Sequence, residues 1–266
     1  MFWEELTADA FPPAVERAGG VCLVPLSCVE RHGHHLPLGT DTYIGREICR
    51  RAALVEPAIV FPDVIFTQIL EARHCAGTIA IDADLIMLLL DNICREVARN
   101  GLRKIILVNA HGGNMALLRY FTQVQLERRR DYTVYVLHPW LRPEEETPEI
   151  AWQTTLDGHA GESETCQILV IRPDLVDAGH LRDDDEGMPL GRLAALDAAG
   201  VQTGIWWYAD HPTHYRGNGT PASAEKGERF LALCAETLVN AIRLIKQDTE
   251  TKRLQDEFFA QAEAPR

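Results

Sequence analysis

No Cys-x-x-Cys pair occurs among the seven cysteines, at positions 22, 28, 49, 75, 94, 166 and 234, and their odd number argues against a disulfide framework. A reducing cytoplasmic setting fits that usage. Long apolar runs are missing too. The longest, Leu85 to Leu90, is far too short to span a bilayer, and the opening Met-Phe-Trp-Glu-Glu-Leu has no basic region followed by an apolar stretch. Neither export nor membrane insertion is expected. Basic residues are scarce: 26 against 39 acidic ones leave a net charge of −13, a field that repels phosphate backbones, so nucleic acid is not an expected partner. The acidic runs Glu144-Glu145-Glu146 and Asp183-Asp184-Asp185-Glu186 read as solvated loops, and the second lacks the spaced ligands of a calcium loop. There is no internal repeat and no low-complexity linker.

What is present is an ordinary globular composition, 46% hydrophobic over 266 residues, enough for one domain spanning 1–266. Strand-length apolar segments alternate with segments of helical period. Strands are expected at Val21 to Ser27, Ala58 to Phe66, Lys104 to Asn109 and Tyr132 to Leu137. Helices are expected at Thr42 to Leu54, Asp82 to Asn100, Asn114 to Arg129, Glu162 to Ile171 and Ser223 to about Gln247. Such alternation with short connections predicts an α/β fold, a mostly parallel sheet covered on both faces. The stretch from Gly200 to Pro221 is expected to wrap the sheet edge or a neighbouring subunit, and the charged tail beyond Asp248 to fray.

In open sheets of this kind ligands bind beyond the carboxyl ends of the strands. Directly after the first strand come Glu30-Arg31-His32-Gly33-His34-His35-Leu36-Pro37-Leu38-Gly39-Thr40-Asp41, two carboxylates and three imidazoles in twelve residues. Glu30 and His32, two apart in an extended segment, project to one side, and Asp41 stands at a helix entrance where the dipole favours a carboxylate. Carboxylates with imidazoles suit zinc, manganese, iron or magnesium, and the residues do not choose among them. At least one of His34 and His35 is expected to face away. His111, set between Asn109-Ala110 and Gly112-Gly113, is presented by a tight turn after the third strand. His159-Ala160-Gly161-Glu162-Ser163-Glu164-Thr165 opens a helix and reads equally as a cap or as part of a site. His74 is a weaker candidate, and a thiol mechanism using the adjacent Cys75 is disfavoured because neighbouring residues seldom offer nucleophile and base in suitable geometry.

Glu30-x-His32-Gly33-x-His35-Leu36-Pro37-x-Gly39-Thr40-Asp41, Asn109-x-His111-Gly112-Gly113-Asn114 and His159-Ala160-Gly161-Glu162-x-Glu164-Thr165 together resemble the creatininase, or creatinine amidohydrolase, family. His74-x-x-Gly77-Thr78 and Gly217-x-Gly219-x-Pro221-x-x-Ala224-Glu225-Lys226-Gly227 extend the likeness, in order, from about residue 21 to 230. The resemblance implies a three-layer α/β/α sandwich, two divalent cations (zinc, manganese or iron) and a homohexamer. It also implies that Glu30 and His111 bind one metal, His32 the other, and that Asp41 bridges them. The glutamate that completes the second site in creatinine-hydrolysing members falls on Gly113 here, so Glu162 is the expected replacement, with Glu164 or water as alternatives. The aromatic and acidic residues those members carry before the His159 position are replaced by Thr155, Leu156 and Gly158, which turns the expectation away from creatinine itself.

The expected reaction is hydrolysis of a C–N bond in a small cyclic amide, creatinine-like or a lactam. Hydroxide generated at the metal pair attacks the carbonyl carbon, His159 moves a proton to the leaving nitrogen, and His74, Thr78 and the backbone near Gly112 contact substrate. A deformylase acting on a formylamino-pyrimidine is the competing enzyme reading. A metal-binding regulatory subunit is the non-enzymatic one.

Overall fold

The computed structural model describes residues 1–140, 150–182 and 185–264, so the acidic run at 144–146 and the first half of the run at 183–186 lie outside the described residues. In chain order the elements are α1 (Phe11–Arg17), β1 (Val21–Leu26), α2 (Thr40–Val55), β2 (Ile59–Val60), α3 (Ala83–Arg99), β3 (Lys104–Asn109), α4 (Met115–Val124) and β4 (Thr133–Leu137). They continue with α5 (Glu162–Ile171), α6 (Ala194–Ala198), α7 (Trp206–Asp210), α8 (Ala224–Gln247) and α9 (Glu250–Ala262). The four strands form one parallel sheet in the order β2-β1-β3-β4.

Both faces are covered, and the pleat shows it. Val21 and Leu23 of β1 with Ile106 and Val108 of β3 enter one core with α2, α5 and α8, while Cys22, Val24, Leu26, Ile105 and Leu107 enter a second core with α1, α3 and α4. The result is the three-layer α/β/α arrangement. Pro25 is tolerated in a central strand because its carbonyl bonds Val64 N on the side where β2 has already ended, so the missing N–H costs no ladder bond. Pro62 likewise helps to explain why the expected strand from Ala58 to Phe66 shrinks to two ladder residues.

Strand order reverses between β1 and β3, and this is where an open α/β sheet leaves a crevice. Leu26 pairs with Asn109 at the carboxyl end of that ladder, so the loop after β1 and the turn after β3 leave the sheet side by side. The described part of the tail is helical from Glu250 to Ala262. Asp248 accepts hydrogen bonds from Glu250 N (2.9 Å), Thr251 N (3.0 Å) and Tyr135 Oη (2.8 Å), starting α9 beside β4, and the Thr251 hydroxyl and the other donors hold its carboxyl down to about 2. Among the described residues no helix is long and apolar enough to cross a membrane.

One glycine sets the position of the site. A Cβ on Gly45 of α2 would lie 2.8 Å from Ala110 Cβ, so its absence lets the helix rest on the chain leaving β3. Asp41 lies one turn earlier on the same helix face. Gly45→Val is therefore expected to destabilise the protein by about 2 kcal/mol through overpacking and to weaken metal uptake in the same variant. Denaturant melts and metal titration check both, and a variant with unchanged metal affinity would contradict the coupling.

Candidate metal centre

Asp41 sits in the first turn of α2, 2% exposed, with its two oxygens facing two different sets of groups. Oδ1 is 3.1 Å from His32 Nε2, and Oδ2 is 3.1 Å from His111 Nδ1 and 3.4 Å from Cys28 Sγ. On the Oδ2 side, His111 Nδ1 also lies 2.8 Å from Glu30 Oε1. On the Oδ1 side, Glu164 Oε2 is 3.7 Å from His32 Nε2, and the ring of His159 lies 4.3 Å from that of His32. Metal-ligating atoms of Cys28, Glu30, Asp41 and His111 converge within 4.8 Å, as do those of His32, His159 and Glu164, and those of Glu30, His159 and His214.

Local structure explains the presentation. His111 is held by Asn109, whose Oδ1 accepts from His111 N (3.2 Å) and whose Nδ2 donates to His111 O (2.8 Å). Asn114 Nδ2 bonds the same Oδ1 at 3.1 Å, closing the turn over Gly112 and Gly113. The His159 strap is fastened to Arg216 by a reciprocal pair of backbone bonds, each 2.9 Å. Its next residue, Ala160, is held at a φ of 56°, a strained conformation for a residue with a Cβ, and Ala160 N donates to Glu164 Oε2 at 2.6 Å.

The electrostatics are those of a crowded charge cluster. Burial opposes a charge on His32, but the Asp41 carboxylate beside it lifts the imidazolium up to about 10. His111 is raised as well, against its own burial, by Cys28, Glu30 and Asp41. Glu30 and Asp41 are held below the usual carboxylate range despite burial by those same imidazoles, with His159 adding to the pull on Glu30. Burial, with Asp41 nearby, pushes Glu164 up to about 8 although His32 pulls it down. His159 is driven down to about 3, first by burial and then by the His32 and His214 rings, and only partly restored by Glu30. Its Nε2–H donates to the Arg31 carbonyl at 2.7 Å, which leaves Nδ1 as the basic nitrogen.

Cations fit this donor set. Taking each carboxylate out of water costs several kcal/mol unless opposite charge lies against it, and here several carboxylates share one recess. Glu30 Oε1 and His111 Nε2 are buried without a hydrogen-bond partner among the described residues, although Oε1 lies so near His111 Nδ1. Glu30 Oε1 and Asp41 Oδ2 both face His111 Nδ1, and oxygens that converge on one ring nitrogen are the arrangement a cation satisfies.

The remaining expected residues fall in different places. Glu162 is fully buried but turned away: Oε1 pairs with Lys226 Nζ at 2.5 Å, and Oε2 accepts from Gln153 N, Thr154 N and Thr154 Oγ1, each at 2.9 Å. Glu164, two residues later and so on another side of α5, faces the cluster instead. His74 Nε2 bonds Pro212 O at 2.8 Å and its ring packs edge-on against Tyr208, supporting α7 from outside the cluster. The Gly77-Thr78 turn packs on Leu38, and Thr78 does not line the cavity beside the centre. Gly112 does line it. His35 bonds Thr165 Oγ1 at 2.8 Å, whereas His34 reaches Glu186 near the surface.

Four contributors were not anticipated. His214, at a φ of 57°, accepts from Trp207 Nε1 on Nδ1 (2.7 Å), so its Nε2–H points to Glu30 Oε2 at 2.5 Å. The cluster Trp206-Trp207 with His211 and His214 was the available signal. Cys28 could have been found from its spacing, two residues before Glu30 on the same side of an extended segment. Glu71 reaches the space beside Gly113: a Cβ there would collide with Glu71 Oε1 and lie 2.5 Å from His111 Nε2. Gln68 Nε2 ties that carboxylate (2.8 Å to Oε2) to Gly113 O (3.1 Å). The fourth is Arg216, which lines the same cavity of about 230 Å³ together with Trp206, Trp207 and Glu71.

A parallel α/β/α sandwich that gathers buried carboxylates and imidazoles where its strand order reverses is the frame of a metal-dependent hydrolase. The family model described as "Creatininase: Creatinine amidohydrolase" matches residues 4–242. The chain belongs to the creatininase family, whose members are metal-dependent amidohydrolases acting on C–N bonds. It is 27% identical to the creatinine amidohydrolase of Pseudomonas putida, over 91% of this chain and 96% of that protein. It is 31% identical to the mycofactocin precursor peptide peptidase of Mycolicibacterium smegmatis, over 79% of each. A 2-amino-5-formylamino-6-ribosylaminopyrimidin-4(3H)-one 5'-monophosphate deformylase of Methanobrevibacter smithii is 31% identical over 46% of this chain and 51% of its own length. Among solved structures, a creatininase of Zn-Zn type superposes with a TM-score of 0.75 at 25% identity, covering 93% of this chain and 98% of that one.

Proposed function

We propose that the protein hydrolyses the C–N bond of a small amide, a lactam or a formamide, at a centre of two divalent cations sharing Asp41. The observation that carries this reading is the orientation of Asp41, with one oxygen toward Glu30, His111 and Cys28 and the other toward His32, whose Nε2 also faces Glu164. A zinc or manganese pair, when bound, supplies Lewis acidity toward the carbonyl and lowers the pKa of water. Glu30, Asp41 and His111 would hold one cation; His32, Asp41 and Glu164 would hold the other.

The rest is done by the chain. His214 fixes the Glu30 carboxylate through Nε2–H, and Trp207 fixes the His214 tautomer. His159 is neutral and offers Nδ1 for a proton in transit toward the leaving nitrogen. Trp206, 53% exposed, stands at the cavity wall, where it can shield a bound amide from bulk water. A panel of lactams and N-formyl amines, assayed with zinc- or manganese-loaded protein for both ring opening and formate, tests the proposal. Formate release assigns a deformylase, ring opening without formate assigns a lactam hydrolase, and no hydrolysis of any amide contradicts it.

Cation and proton compete for the same atoms. His32 stays protonated up to about pH 10 and Glu164 up to about pH 8 in the metal-free protein, so loading must expel their protons. Metal affinity should therefore rise with pH, most steeply below about 8 to 10. Zinc addition at pH 7.5 should release more than one proton per chain, measured calorimetrically in buffers of different ionisation enthalpy. Release of none would contradict the assignment of these ligands.

A further inference from the structure

Among the described residues, the cavity beside the metal centre holds one guanidinium with no carboxylate paired to it. No carboxylate among the described residues lies within ion-pairing distance of the Arg216 guanidinium, although Glu30, Asp41, Glu71 and Glu164 line the same cavity and acidic residues outnumber basic ones 39 to 26 in the chain. Arg46, Arg51, Arg130 and Arg253 are taken up in ion pairs, while Arg31 and Arg192 are spent on carbonyl and imidazole acceptors. The position of Arg216 is built rather than incidental. Its backbone is locked to His159 by two hydrogen bonds, and its stem lies across Gly158, where a Cβ would come within 2.7 Å of Arg216 Cδ. Gly158 is thus the residue that lets an arginine lie along the cavity wall next to His159, half-buried.

We propose that Arg216 is the anchor for an anionic group on the substrate, so that the physiological amide carries an oxyanion, a carboxylate or a phosphate, beyond the bond that is cut. A guanidinium offers a rigid fork of donors matched to such groups, and pairing in a recess screened from water strengthens the contact. Glu71, clamped by Gln68 beside Gly113, repels an anion placed on its side of the cavity, which favours the Arg216 wall as its seat. The rigid link to His159 then sets the distance between the anionic end of the substrate and the scissile bond. This inference rests on the amidohydrolase reading for the second half of its consequence, the placement of the scissile bond, and not for the first, the binding of the anion.

The test uses metal-loaded protein and matched ligands: one N-acyl amine bearing a terminal carboxylate, its primary-amide counterpart and its phosphate-ester counterpart. Binding is read from the fluorescence of Trp206 and Trp207, and hydrolysis from kcat/KM, for wild type, Arg216→Gln and Arg216→Lys. The expected result is at least about tenfold preference for an anionic ligand over the neutral one in wild type. That ratio should fall to about one in Arg216→Gln and partly recover in Arg216→Lys. A preference for the carboxylate or for the phosphate identifies the source of the oxyanion. An equal ratio in wild type and Arg216→Gln overturns the inference, whether or not amides are cut. An Arg216-dependent preference in binding with no hydrolysis of any ligand upholds the anchor and contradicts the amidohydrolase reading instead.

Discussion

Asp41→Asn should reduce bound metal from about two equivalents per chain to one or fewer and lower kcat/KM by about a thousandfold or more, the several kcal/mol a cation pair contributes to the transition state. The fold should survive. Asp41 lies against two imidazoles raised by it and near two other carboxylates, so removing its charge relieves repulsion as well as attraction, and the helix-dipole term at the start of α2 is only about 0.5 kcal/mol. Circular dichroism and metal analysis on the same preparation separate loss of site from loss of structure. A folded variant that still holds two equivalents and turns over normally would contradict the shared position of Asp41.

A second large effect separates two glutamates on one helix. Glu164→Gln should weaken one of the two metal sites by about a hundredfold, with activity falling in parallel, because a charged ligand becomes a neutral one. Glu162→Gln should leave metal content unchanged and instead lower stability by about 3 kcal/mol, since Lys226, whose side chain is only 13% exposed, loses the carboxylate it pairs with. Equilibrium metal titration and urea melts of both variants check the contrast. The reverse pattern would show that Glu162 and not Glu164 faces the cations.

That contrast also shows where sequence reading stops. The spacing of Glu162 and Glu164 is visible in the chain, but which of them faces the sheet depends on the phase of α5 as it packs on α8. That phase is set by a contact distant in sequence, Gly227 against the Cys166 carbonyl. The resemblance alone could not choose, because the Gly113 position lacks the side chain that would have decided it. Glu30, His32, Asp41 and His111 were legible because they lie within a few residues of strand ends, where an alternating segment and a glycine turn fix direction locally. Their convergence follows from the β1–β3 pairing, which places the two loops together at the reversal of strand order.

His214 and Arg216 were not legible for the opposite reason. They sit in an irregular segment whose path is set by α7, by the edge-on contact of Tyr208 with His74 and by the short bridge to His159, none of which has a period to read. The strands Lys104–Asn109 and Thr133–Leu137 and the helix Glu162–Ile171 were plain from patterning. β2 was overestimated because apolar composition persists past Pro62 while the ladder does not. The tail was read as fraying because its charge hides the anchor at Asp248, whose partner Tyr135 lies more than a hundred residues earlier.

The most direct test of the central claim is anomalous diffraction from crystals of the metal-loaded protein. Two peaks about 3.5–4 Å apart, one on each side of the Asp41 carboxylate, with Glu30 and His111 against one and His32 and Glu164 against the other, are the predicted result. A single peak, or peaks that leave either oxygen of Asp41 facing no cation, would contradict it.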